Sequence, residues 1–91
     1  MANITQVLGA QAALPTSTGT ATSISEAPVV RLYNSDASNA YLVSVVESQG
    51  GAAVGSFTMP AGSVEFLRKN YTQCIFAENA AILCAKVGFT N

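Results

Sequence analysis

The residues that could carry chemistry in this sequence are few, and their types point away from catalysis. There is no histidine, so the commonest general base and the commonest metal ligand are both missing. The carboxylates show neither a close pair nor a calcium-loop spacing; they are Glu26, Asp36, Glu47, Glu65 and Glu78. No glycine lies in a phosphate-binding loop ending in Lys-Ser/Thr. We therefore predict a protein that is not an enzyme, with no catalytic residue, no metal site and no cofactor.

The two cysteines, Cys74 and Cys84, are too few to complete a zinc site without histidine. A three-residue turn at 78–80 would place them opposite each other across a hairpin, where a disulfide is conceivable. A change of one residue in strand register would instead pair Cys74 with Ala85 and send the thiols to different faces. Because cytosolic assembly keeps thiols reduced, we favour two buried free thiols.

The aromatic and basic residues show no pattern for binding nucleic acid. Tyr33, Tyr41 and Tyr71 could stack on bases or sugar rings, but they lie in or beside predicted strands without a tryptophan or a basic groove. Arg68 and Lys69 are the only adjacent cations, whereas phosphate neutralisation needs clustered ones. We expect the tyrosines to pack and no nucleic acid to bind.

The composition predicts a protein that is covered by partners. Of the 91 residues, 49% are hydrophobic and 10% are charged, and the net charge is -1. An average soluble domain has roughly 25% charged residues, which keep it soluble and protect its sheet edges. A surface this neutral gives little protection against association, so we expect homo-oligomers or contacts with other subunits.

From residue 28 onward, short apolar runs alternate with turn residues, which is typical of β-strands. The predicted strands are 29–34, 40–48, 54–59, 64–69, 74–77 and 82–89, with a further strand near 4–8. Segments 49–51 and 60–62 are predicted turns, and 34–39 is a predicted hairpin loop. These features predict an all-β fold, a small antiparallel β-sandwich of about six to eight strands.

The core of this sandwich is predicted from alternation along the strands. Val64 and Phe66 share one face of a strand while Glu65 points to the other, so Phe66 is the strongest core candidate. The predicted core residues are Leu32, Val43, Val45, Val64, Phe66 and Phe76.

Residues 1–28 differ in composition and are predicted to form an extended N-terminal arm, with the sandwich domain at 29–91. The first charged residue is Glu26, and Pro15 discourages a helix beyond Leu14. No apolar run is long enough to span a bilayer, and no basic segment precedes an apolar one as in a secretory signal, so we expect no membrane contact. The predicted subunit contacts of the arm are Ile4, Val7, Leu8, Leu14 and Ile24.

Three stretches of the chain carry a resemblance to a known group of proteins. They are Val-Arg-Leu-Tyr-Asn at 30–34, Ala-Tyr-Leu-Val at 40–43, and Met-Pro-Ala-Gly-Ser-Val-Glu-Phe-Leu at 59–67. In this order they resemble small β-sandwich structural proteins of tailed-bacteriophage virions, over roughly two thirds of the chain.

The resemblance implies a capsid decoration or cement protein that binds the major capsid protein or other virion subunits. Such a protein would be a homo-oligomer on the particle, located in the virion and assembled in the host cytoplasm. A neck, tail or fibre component is the nearest alternative. An extracellular β-sandwich that binds a glycan or receptor through tyrosine-bearing loops is a further alternative.

Overall fold

The structure is a computed structural model that describes the backbone of residues 4–90 and the side chains of residues 4–88. Strand-forming runs rich in Val, Ile, Leu, Phe and Tyr alternate with Gly-, Asn- and Ser-containing turns, and they form eight strands with one short 3-10 helix, Thr18–Thr20. The strands are β1 Ile4–Val7, β2 Ala12–Ala13, β3 Val29–Asn34, β4 Tyr41–Val46, β5 Ala53–Met59, β6 Val64–Arg68, β7 Cys74–Ala77 and β8 Ile82–Thr90.

The strands form two antiparallel sheets, which confirms the predicted all-β sandwich. Sheet I has the order β1-β8-β3-β6, and β2 pairs with β8 on the same side as β1. Sheet II has the order β5-β4-β7. The chain therefore crosses between the sheets at the connections from β3 to β4, from β5 to β6, from β6 to β7 and from β7 to β8.

The main core lies between the sheets and is built from alternate residues of the central strands. In β3, Val30 and Leu32 are buried, while Arg31 between them is half-buried and lies on the other face. Val43 and Val45 of β4 are buried in the same cluster, so these two and Leu32 lie in the predicted place. The remaining buried members are Leu14, Ala27, Met59, Ile75, Ala77, Ile82 and Cys84.

A second, smaller cluster lies on the other face of sheet II. Val46 and Cys74 are opposite each other on β4 and β7, and Ala21 packs with them from the segment that contains the 3-10 helix. Phe76 is half-buried and packs against this cluster, not in the main core where it was predicted. The reason is strand alternation, because Ile75 and Ala77 of β7 occupy the inward positions.

The β4–β5 connection is the tight hairpin predicted by Gly50 and Gly51. Glu47 N–H donates to the Ala52 carbonyl at 2.9 Å, and Gly51 N–H donates to the Ser48 carbonyl at 2.8 Å. Gly50 has φ of 71°, and a Cβ on Gly51 would lie 2.5 Å from Ser48 Oγ. Glycine is therefore required at both positions of this turn.

Segment 34–39, predicted as a hairpin loop, is instead a crossover between the sheets. β3 pairs with β6 and β8 while β4 pairs with β5 and β7, so segment 34–39 does not join neighbouring strands. The turn at 78–80 likewise joins β7 in sheet II to β8 in sheet I. Cys74 and Cys84 consequently lie in different clusters, and both are buried free thiols. Local turn chemistry predicted the reversals, but long-range pairing decides which strands meet.

The structure also reverses the predicted faces of β6. Glu65 is opposite Leu32 and Leu67 is opposite Val30, so these two residues lie on the inward face, and Leu67 packs against the main core. Val64 and Phe66 therefore point outward and are 41% and 46% exposed. The physical reason is that register with β3 sets the face, because a paired residue shares the orientation of its partner.

No structural boundary lies at residue 28, since most of the predicted arm belongs to the sandwich. Leu14 is 1% exposed within the main core, and its N–H donates to the Ile82 carbonyl at 2.9 Å. Thr22 forms a bridge with Ile75 of β7. β1 and β2 pair with β8 of the same chain. Within this segment, the side chains of residues 4–13 and 16–20 form continuous exposed stretches.

Candidate subunit-contact surface

The side of sheet I that faces away from the core presents rows of large side chains. Val64, Tyr33, Leu83 and Ala13 lie opposite one another across β6, β3, β8 and β2. Because opposed residues in antiparallel strands share a face, they form one row that crosses the whole sheet. The surface, called the outer face below, consists of Ala13, Val29, Arg31, Tyr33, Val64, Phe66, Arg68, Leu83 and Ala85.

The next row of the outer face is Phe66, Arg31 and Ala85. Arg31 Nη1 donates to Gln11 Oε1 at 3.3 Å, and its guanidinium carbon lies 5.9 Å from the centre of the Tyr33 ring. This distance allows a cation–π contact. Ala85 is 5% exposed but belongs to neither core cluster, which indicates that outer-face side chains cover it.

The charges of the outer face have one sign. Arg31 and Arg68 lie on it, whereas none of the carboxylates within residues 4–88 does. Asp36, Glu47 and Glu78 lie in connections outside sheet I, Glu26 lies in the turn before β3, and Glu65 lies on the inward side of β6. The outer face therefore combines apolar and aromatic side chains with two guanidinium groups.

The exposed apolar residues at the edge of sheet I lie on both of its faces, with Val7 on the outer face and Ile4 and Leu8 on the opposite one. Ile4, Val7 and Leu8 are 64%, 69% and 50% exposed, and all three were predicted as contact residues. Val7 is opposite Val87, and Leu8 packs over Gly88, where an added Cβ would lie 3.3 Å from Leu8 Cδ1. These side chains are available to a partner even though the β1 backbone pairs with β8.

The other two predicted contact residues are internal. Leu14 fills part of the main core, and Ile24 is half-buried against it. Leu14 presents no surface to a partner, and Ile24 presents only the exposed part of its side chain. The prediction placed them in a free arm because their spacing shows no strand or helix periodicity, and tertiary packing then gave them inward positions.

Ile24 also begins a left-handed turn that the sequence analysis missed. Ile24, Ser25 and Glu26 have φ of 54°, 54° and 56°, a region that a β-branched residue such as isoleucine rarely adopts. Thr22 Oγ1 accepts from Ile24 N–H and Ser23 Oγ accepts from Glu26 N–H, both at 3.1 Å. The Thr-Ser pair before Ile24 is the only local signal, and it indicates a turn without its handedness.

The two lysines hold this turn in place. Lys69 Nζ donates to the Ser23 carbonyl at 2.9 Å, and Lys86 Nζ donates to the Ser25 carbonyl at 3.1 Å. Lys69 is 6% exposed, and burial lowers its pKa. Both lysines are therefore structural, and the remaining two cations, Arg31 and Arg68, lie on the outer face.

A recess of about 350 Å³ lies between the left-handed turn and the segment before β2. Its lining contains no charged side chain and includes Ala12, Pro15, Ile24 and Cys84. Burial raises the pKa of the Cys84 thiol to about 11, so it is protonated at neutral pH and is a poor nucleophile. The recess therefore lacks the groups needed for acid–base or nucleophilic chemistry.

The carboxylate with the most perturbed ionisation, Asp36, organises a loop. Its oxygens accept from Ser38 N–H at 2.8 Å, Tyr41 O–H at 2.8 Å and Asn39 N–H at 3.0 Å. These hydrogen bonds lower the pKa of Asp36 to about 2. The bond between the Asp36 and Tyr41 side chains also raises the pKa of Tyr41. Asp36 thus stays ionised as an acceptor and has no proton to donate near neutral pH.

Residues 4–90 contain no cluster of three potential metal-ligating side chains and no helix long and apolar enough to cross a membrane. The outer face and β1 are thus the surface with the most distinctive chemistry in this part of the chain. Comparison of the sequence and structure with protein-family models, with curated proteins and with solved structures finds no match.

Proposed function

We propose that this chain is a non-enzymatic structural protein of a tailed-phage virion, and specifically a capsid decoration or cement protein. The observation that carries the proposal is the outer face of sheet I, where Val64 and Phe66 are exposed beside Tyr33 and Arg31. Aromatic residues and arginine are the types enriched at protein interfaces and at their energetic centres. The partners would be the major capsid protein or other virion subunits.

The low charge of the chain supports the same proposal. On a capsid, every copy meets an equivalent partner, so a modest contact repeated over the lattice gives a strong total attachment. A largely neutral protein that would associate non-specifically in free solution is protected once its apolar surface is buried in such a lattice.

The role proposed for the N-terminal segment changes with the structure. β1 adds a strand to sheet I of its own chain, so its backbone does not extend across neighbouring subunits. The contact would come from its exposed side chains, with Val7 extending the outer face and Ile4 and Leu8 projecting from the other face at the same sheet edge. The contact surface is then the outer face together with the β1 edge of sheet I.

The proposal is tested by quantitative mass spectrometry of purified virus particles from an infected culture. A chain present in many copies per particle supports it, and a chain that is expressed in the cells but missing from the particles contradicts it. Immunogold electron microscopy then separates a shell protein from a neck, tail or fibre component. Label confined to the tail would show that the chain is a tail component and not a capsid decoration protein.

The contact surface is tested with matched surface variants. V64S/F66S removes two apolar side chains from the outer face, and we expect it to lose binding to particles that lack the native chain. Tyr71→Ser is the control, because Tyr71 is 60% exposed but lies in the turn before β7. Equal binding of both variants and the wild type would exclude the outer face as the contact.

A further inference from the structure

The open edges of the two sheets differ in how well they are protected. The outer edge of β7 is covered, because Thr22 and Ile75 exchange backbone hydrogen bonds of 3.0 and 2.8 Å and Ala77 N–H donates to the Pro15 carbonyl at 2.9 Å. β6 carries Glu65 and Arg68, and charges on an edge strand discourage pairing with other strands. On the opposite side of sheet I, β1 and β2 are short and separated by an irregular segment.

β5 has none of these protections. Its seven residues, Ala53–Met59, contain no charged residue and no proline, and within residues 4–90 the strand pairs only with β4. Ala53, Val54, Gly55, Ser56 and Thr58 are exposed. A long, neutral, uncovered edge strand of this kind is a template for another strand.

The backbone groups available on this edge follow from the pairing of β4. The Leu42 carbonyl accepts from Glu78 N–H at 2.9 Å, so the backbone of Leu42 points towards β7 and that of Val43 points towards β5. The backbone N–H and C=O groups of Phe57, which is opposite Val43, therefore point towards β4. Since backbone direction alternates along a strand, the N–H and C=O groups of Ser56 and Thr58 point away from β4.

We propose that two copies of this chain join through their β5 edges, antiparallel about a two-fold axis at Phe57. Ser56 of each copy would then be opposite Thr58 of the other, forming about four backbone hydrogen bonds. Pro60 and the register irregularity opposite Val45 and Val46 limit the regular pairing to this central stretch. The two three-stranded sheets become one sheet of twice that size.

A second copy of this chain fits this edge for two reasons. A strand can pair antiparallel with an identical strand about a two-fold axis, and β5 has no charged residue that would repel its copy. The pairing also closes on itself. Each end of the joined sheet would be the β7 edge, which residues 15–22 already cover, so the product is a dimer and not a fibre.

The expected dimer is reversible. A stable interface buries roughly 800 Å² per partner, which is a large part of the 4995 Å² surface of this chain, and a short edge pairing buries less. The inference goes beyond the proposed virion function and does not depend on it, because self-association is measured without particles. A chain that dimerises but never enters particles would contradict only the virion proposal.

The test is sedimentation velocity of the purified full chain over a rising concentration series. We expect the wild type to shift from monomer to dimer, and S56K/T58K to dimerise more than about tenfold more weakly because lysines would face each other across the axis. T16K/T72K is the matched control, since it adds the same charge at exposed positions away from β5. Circular dichroism checks that each variant is folded.

A cross-linking measurement tests the register without adding charge. Both native thiols are buried, so S56C/T58C introduces accessible thiols that lie opposite each other in the proposed dimer. We expect mild oxidation to give a covalent dimer with this variant and not with T16C/T72C. A wild type that stays monomeric up to its solubility limit, lysine variants that dimerise equally, or cross-linking no better than the control would each overturn the inference.

Discussion

Asn34 shows how a single buried side chain can organise connections between the two sheets. Its Nδ2 group donates to the carbonyls of Asn39 and Met59 at 2.9 and 3.0 Å, and its Oδ1 accepts from Asp36 N–H at 3.0 Å. The residue has no exposed surface, and all three bonds join the end of β3 to the two neighbouring crossovers. A buried amide with its partners satisfied favours one arrangement of these loops over others.

At the same scale, Cys84 predicts a dependence of stability on pH. Burial raises the pKa of the folded-state thiol from 9.0 to about 11, so between these values the unfolded chain loses a proton that the folded chain keeps. The free energy of unfolding of the wild type should therefore fall, relative to Cys84→Ala, as the pH rises through this range. Urea unfolding of both proteins measures the difference. The titration of the lysines and tyrosines is common to both proteins and cancels in this difference. Parallel curves would show that the thiol is not desolvated.

At the scale of elements, the N-terminal segment has two parts with different packing. β1 lies on the outside of β8 with all its side chains exposed, whereas Leu14 enters the main core and residues 15–22 cover the edge of β7. The first part is free to contact a partner, and the second is needed for folding. Neither part contains a charged residue, so charge does not distinguish them.

This division predicts opposite outcomes for two leucines that are six positions apart. Leu14→Ala should lower the free energy of unfolding by about 2–5 kcal/mol, because it leaves a cavity in the core. Leu8→Ala should change it by less than about 1 kcal/mol, because Leu8 is half exposed. Urea denaturation measures both. Similarly small losses of unfolding free energy in both variants would show that Leu14 lies outside the core, in the free arm that the sequence predicts.

The strands themselves were largely predictable, and the pairing was not. The predicted strands at 29–34 and 74–77 coincide with β3 and β7, because β-branched runs and turn residues are local signals. In the stretch Val64–Arg68, however, Val64, Phe66 and Leu67 are all apolar, so alternation alone does not say which face is inward. Register with β3 decides it, and register is a long-range property. The sequence analysis therefore did not predict the outer face as a contact surface, because it assigned Val64 and Phe66 to the core.

At the scale of the whole molecule, few charges are free to face water. Lys69 and Lys86 are used to hold the left-handed turn, and Asp36 is used to hold a loop. The outer face of sheet I and the β5 edge are on different sheets, so one copy can use both at once. A dimer formed through β5 would still present two outer faces to a capsid lattice, which doubles the contacts per assembly unit.

This arrangement predicts that solubility and stability respond to different residues. V64S/F66S should raise the concentration at which the isolated chain begins to scatter light, because it removes exposed apolar area, and should lower the free energy of unfolding by less than a substitution in the core does. Leu32→Ala is the control and should lower that free energy by about 2–5 kcal/mol, because Leu32 is fully buried. Static light scattering and urea unfolding measure the two quantities. A loss of stability in V64S/F66S as large as in the control would mean that these side chains support the fold, and the outer face would then lose its assignment as a contact surface.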